Sequence, residues 1–111
     1  MQDIKNECHD QCSWGRGDPT TDFNLYCQRF ITQIGTAFPE YKGLFLVEGI
    51  HMHAEGRTPS PWKQWWGGNL FGADKYPVVT GMPSLDDRIA YSPHIYGPDV
   101  YNMWVLRSSS D

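Results

Sequence analysis

The chain has 111 residues, a length suited to one domain, and its 40% hydrophobic and 14% aromatic content is globular rather than disordered. A formal charge of −4 with Lys and Arg scattered along the chain leaves no basic stripe, so neither nucleic acid nor an anionic membrane is expected as a partner. Cys8, Cys12 and Cys27 are too few and too uneven for a disulfide framework, no apolar run reaches the length of a membrane span, and the residues after Met1 form no signal-peptide core.

The first predicted element is a strand-like segment at residues 3–5, Asp3-Ile4-Lys5, ended by Asn6-Glu7. A chain that opens directly on a carboxylate at a strand end reads as one that starts inside something larger. Gly15-Arg16-Gly17-Asp18-Pro19 is loop chemistry, with Asp18 or Thr21 as the expected helix cap and Asp22 in the first turn. The helix is predicted over residues 22–38, because Phe23, Tyr26, Cys27, Phe30, Ile31, Ile34 and Phe38 recur three and four apart and Pro39 stops it.

Leu44-Phe45-Leu46-Val47 is a continuous apolar run ended by Glu48-Gly49, the pattern of a parallel strand buried on both faces. Residues 50–84 are rich in Gly, Pro, Trp and His without periodicity and read as a long loop, which in a small domain is usually functional. Residues 88–92 form a third predicted strand running towards His94 and Tyr96. Gly97-Pro98 opens a short helix at 99–105, and 106–111 is a frayed, disordered tail. The order is α/β. The strands make roughly two to three βα units, whereas a closed (β/α)₈ barrel takes typically about 250 residues.

The candidate chemistry lies at the strand ends. In a parallel barrel Glu7 would stand at the C-terminal face, where active sites form, with Asn6 beside it to orient a sugar hydroxyl. Trp65-Trp66-Gly67-Gly68 pairs indoles with small residues, an arrangement that can offer a flat ring to a pyranose. The period-two spacing of His94-Ile95-Tyr96 sends both functional side chains to one face.

In this order the segments resemble glycoside hydrolase family 5, the cellulase family of (β/α)₈ barrels. Asp3-Ile4-Lys5-Asn6-Glu7-Cys8-His9 is similar to that family's fourth-strand motif, with Cys8 where proline is usual, and Trp14-Gly15 followed by Gly17-Asp18-Pro19 fits the loop after it. Val47-Glu48-Gly49 resembles the fifth strand, the segment from Trp65 to Leu70 its loop, and Tyr91 to Pro98 the sixth strand. The resemblance implies a partial (β/α)₈ barrel, with residues 1–105 as part of the catalytic domain. It further implies retaining hydrolysis of β-1,4-glucan by a secreted parent enzyme, on a polysaccharide or oligosaccharide substrate, with no cofactor and no metal.

By the same resemblance Glu7 is the general acid/base, Asn6 contacts the sugar 2-hydroxyl, His94 and Tyr96 line the centre, Trp66 is a sugar platform and His9 faces the cleft. Glu48 is expected to be structural or supporting. The family's nucleophile is a Glu at the end of the seventh strand, which this sequence does not reach, so the chain is expected to be inactive alone. Two rivals remain. A zinc module built on Cys8, His9, Asp10 and Cys12 with His51 and His53 has only half of the usual ligand spacing. A non-catalytic carbohydrate-binding protein could use Trp62, Trp65, Trp66 and Tyr76, but such modules are commonly β-sandwiches, a fold that a long amphipathic helix opposes.

Overall fold

The computed structural model describes residues 12–51, 53–54 and 67–95. The expected strand at residues 3–5, the expected helix at 99–105 and the expected tail at 106–111 lie outside them. Strand β1 (Ser13–Trp14) leads through a loop to helix α1 (Phe23–Ala37), followed by β2 (Phe45–Val47), β3 (His53–Ala54), the single-turn helix α2 (Pro83–Asp86) and β4 (Ile89–Tyr91). β2 and β4 pair in parallel, with Phe45 opposite Ile89, Leu46 opposite Ala90 and Val47 opposite Tyr91. β1 and β3 also pair in parallel, Ser13 opposite His53 and Trp14 opposite Ala54.

Helix α1 follows its apolar spacing. Phe23, Cys27 and Ile31 lie one turn apart and are buried, while Phe30 and Phe38 on its flank stay exposed. Its end is set by proline: the ring of Pro39 keeps Phe38 out of helical geometry, at φ −129° and ψ 68°, although the Phe38 N–H still reaches the Ile34 carbonyl at 2.8 Å. The start differs from expectation. Asp22, not Asp18 or Thr21, is the N-cap residue, with extended backbone and no side-chain bond to the helix.

The Asp22 carboxylate turns instead into the preceding loop, where it is 2% exposed. It accepts hydrogen bonds from the Ser13 hydroxyl and from the backbone N–H groups of Arg16 at 3.1 Å, Gly17 at 2.6 Å and Asp18 at 3.2 Å. A buried carboxylate is tolerated only when its lone pairs are filled, and these donors fill them. The same loop is closed by Asn24, which accepts from the Gly15 N–H at 3.2 Å.

The core gathers Trp14, Phe23 and Ile31 against Val47, Ile50 and Leu85. Trp14 is completely buried, and its indole N–H donates to the Tyr76 carbonyl at 2.8 Å, so the ring's polar atom is satisfied. Burying an apolar side chain of this kind contributes roughly 1.5–3 kcal/mol.

Two expectations need correction. β2 is buried on one face only: Phe45 and Val47 pack on the core with Cys27 and Ile31, whereas Leu46 between them is 68% exposed. Alternation along the strand sends Leu46 away from α1, and nothing among the described residues covers that side. Nor is 50–84 one loop. It contains β3, an antiparallel bridge between Ile50 and Asn69, and the start of α2. Pro83 begins α2 where a missing N–H costs nothing, and Asp86 ties the turn to Thr80 and Gly81.

Candidate active site at the strand ends

β2 and β4 run side by side in register, so the residues that follow them emerge on one edge. Glu48 follows β2 directly and His94 lies three residues beyond β4. This edge is the C-terminal end of parallel strands, the place where α/β proteins of barrel type build their sites. The Ser92 N–H donates to the Val47 carbonyl at 2.8 Å, which extends the pairing past the formal strand ends.

On this edge His94 Nε2 lies 2.9 Å from Glu48 Oε2. A proton must lie between them at that distance, so Nε2 donates and the carboxylate accepts. The pair is partly wet: the His94 side chain is 47% exposed and that of Glu48 18%.

A third segment joins them. The Gly67 carbonyl accepts from the Gly49 N–H at 2.8 Å and from the His94 N–H at 3.1 Å, so one oxygen ties the ends of both strands to the end of the tryptophan-rich segment. Ile50 and Asn69 continue the tie with reciprocal backbone bonds of 2.9 and 3.1 Å. Gly67 has φ +74°, a conformation that favours glycine, and a Cβ there would lie 2.8 Å from His94 Nδ1. The imidazole is therefore bounded by Glu48 on one nitrogen and by Gly67 beside the other.

Of the site residues expected from sequence, His94 falls within the described residues, while Asn6, Glu7, His9, Trp66 and Tyr96 lie outside them. Tyr76, a member of the rival sugar-binding face, packs against the core with Lys75 over its ring at 5.3 Å. Among the described residues no group of three or more His, Cys, Asp and Glu side chains could hold a metal ion. Glu48, expected from sequence as structural or supporting, is the residue that meets His94, a contact the sequence reading did not name. Its signal was available in retrospect, since Glu48 and His94 each stand just beyond a predicted parallel strand.

Helix-flanked parallel strands with ionisable side chains at their C-terminal ends are an α/β arrangement of the kind found in barrel enzymes. The chain belongs to the glycosyl hydrolase family 5 cellulases, whose family model matches residues 1–108. It is 44% identical over 98 residues to an endoglucanase of Paenibacillus polymyxa, a match covering 88% of this chain and 23% of that protein. It is 33% identical over 100 residues to the major extracellular endoglucanase of Xanthomonas campestris pv. campestris, covering 89% of this chain and 19% of the relative.

The solved structures agree. The catalytic domain of the Xanthomonas enzyme matches with a TM-score of 0.69 at 30% identity, over 89% of this chain and 26% of that one. An endocellulase from Pyrococcus horikoshii in complex with cellotetraose matches with a TM-score of 0.67 at 38% identity, over 86% and 24%. The chain thus spans about a quarter of the length of the proteins it matches.

Proposed function

We propose that this chain is the strand-four-to-six portion of a (β/α)₈ barrel and carries the acid/base half of a retaining endo-β-1,4-glucanase site. Glu7 protonates the leaving glycosidic oxygen and then activates water, Asn6 holds the sugar 2-hydroxyl, and His94 and Tyr96 line the centre. Trp66 stacks on a neighbouring sugar and His9 faces the cleft. The supporting observation is the edge shared by Glu48 and His94, because the same parallel-strand edge would receive the end of a fourth strand bearing Glu7. The exposed face of Leu46 supports the barrel reading, since in a closed barrel that face looks into a packed interior.

Retaining glycosidases need a second carboxyl group roughly 5 Å from the acid, to attack the anomeric carbon. Four of the described carboxylates have other engagements. Asp22 is filled by its loop, Asp86 holds Thr80 and Gly81, Asp18 binds Thr20, and Glu48 holds His94. In this reading the nucleophile is the family's seventh-strand Glu, contributed by another part of the barrel, and the chain alone binds cello-oligosaccharides without cleaving them. The parent enzyme acts on β-1,4-glucan, as the endoglucanase relatives suggest, and works outside the cell, as the extracellular Xanthomonas relative suggests.

The test is to replace the matching quarter of the Paenibacillus polymyxa endoglucanase with this chain and compare it with its Glu7→Gln variant. A general acid/base contributes on the order of 10²–10⁴ in rate. Loss of kcat in that range, with cellotetraose affinity kept, is expected. Unchanged hydrolysis would overturn the assignment of Glu7.

A further inference from the structure

Within this reading of the site, one carboxylate has no part in bond cleavage and yet touches a residue of the centre. Glu48 stands immediately after β2, and its Oε2 lies 2.9 Å from His94 Nε2. Without that contact the half-exposed imidazole could turn about its side-chain bonds and exchange the proton between its two nitrogens. With it, Nε2 is the protonated nitrogen and the ring plane is set.

The opposite side of the ring is closed by backbone. Gly67 leaves no room for a side chain next to Nδ1, and its carbonyl accepts from the backbone N–H of His94 itself. Gly49, the residue after Glu48, donates to the same carbonyl and has the Asn69 backbone 2.6 Å from where its own Cβ would be. The carboxylate and the ring are thus carried on two segments whose backbones share one acceptor, so their separation is fixed by main-chain hydrogen bonds as well as by the side-chain contact.

We propose that Glu48 is a positioning residue of the sugar site, which holds His94 in one tautomer and one orientation with Gly67 as the backstop. His94 then meets the sugar as a fixed wall, with Nε2 committed to the carboxylate. The role is separable from fold stability, because a pair this exposed contributes little to folding.

The experiment uses the 111-residue chain, labelled with ¹⁵N, with cellotetraose as the probe. In the unliganded chain the ring nitrogens of His94 are expected to show a single tautomer protonated at Nε2. Glu48→Ala should shift them towards a mixture and weaken cellotetraose binding about tenfold, while amide signals of the α1–β2–β4 core stay in place. Glu48→Gln keeps an accepting oxygen and should hold affinity to within about twofold of the unaltered chain. Gly67→Ala, which crowds Nδ1 while leaving the carboxylate intact, should reproduce the loss seen with alanine at position 48. A Glu48→Ala chain that binds cellotetraose as tightly as the original would overturn the positioning role alone. Failure of the unaltered chain to bind cellotetraose would overturn the sugar-site reading and the positioning role with it.

Discussion

Asp22 and Glu48 are both carboxylates set beside parallel strands, Asp22 bridged to Ser13 of β1 and Glu48 directly after β2, and the structure uses them in opposite ways. Asp22 closes the loop after β1 and is sealed from water by four donors, three of them backbone N–H groups. Glu48 stands at the edge shared by β2 and β4, partly exposed, with a half-exposed imidazole as its partner. The first carboxylate maintains a loop shape and has no capacity left for a ligand. The second holds a side chain that is itself still accessible. The two acids differ in setting: one is enclosed by the donors of its own loop, the other stands at an open edge beside an accessible ring.

The comparison breaks most visibly under truncation. Asp22→Ala strips a buried acceptor from the Ser13 hydroxyl and three backbone N–H groups, and is expected to cost about 3 kcal/mol of folding stability in urea denaturation. Glu48→Ala, measured in the same way, should cost less than about 1 kcal/mol, because its partner remains hydrated. Equal losses at the two positions would erase the distinction.

A smaller effect concerns acid. Burial tends to raise the pKa of Asp86, but the hydrogen bonds it accepts from the Thr80 hydroxyl and from the Thr80 and Gly81 N–H groups outweigh that and hold it below the ordinary 3.8. The carboxyl of Asp18 is also held below 3.8, chiefly by the Thr20 hydroxyl and then by the Thr20 N–H. A pKa depressed by folding means that the unfolded chain binds protons more readily, so the stabilisation is complete above pH 3.8 and is lost as pH falls through the lower folded value. Denaturation midpoints at about pH 6 and about pH 3 should therefore converge for Asp86→Asn relative to the original chain, by a few tenths of a kcal/mol, on the order expected for a carboxylate open to solvent.

The legible parts of the fold were those with enough residues to show a period. Helix α1 was readable from Phe23, Cys27 and Ile31, and β2 and β4 from short apolar runs bounded by polar or glycine residues. Ser13–Trp14 and His53–Ala54 are two residues each, too short for any alternation, and they exist because they pair with one another across the chain. The Asp22 loop was misread locally, since Asp18 or Thr21 was expected to cap the helix with Asp22 in its first turn, and the bond from Ser13 that turns the Asp22 carboxylate into the loop comes from a residue nine positions away. At the candidate site, His94 was singled out from its period-two spacing with Tyr96 and from the resemblance, and Glu48 was not given a partner. Their contact depends on the register that sets Val47 opposite Tyr91, and register is a property of pairing.

The family assignment explains why so apolar a face is open. Leu44 and Leu46 are both more than half exposed on the same short stretch, and in the complete proteins that this chain matches about three quarters of the length is contributed by other segments. In the proposed barrel the Leu46 face would look into the packed interior.

The measurement that tests this most directly is hydrolysis of a soluble cellulose derivative by the pure 111-residue chain, followed by release of reducing ends. The account predicts cellotetraose binding with no cleavage above background, and the same null result for Glu7→Gln. Hydrolysis by the unaltered chain that Glu7→Gln abolishes would contradict it, because it would place both carboxyl groups of the retaining mechanism within these residues.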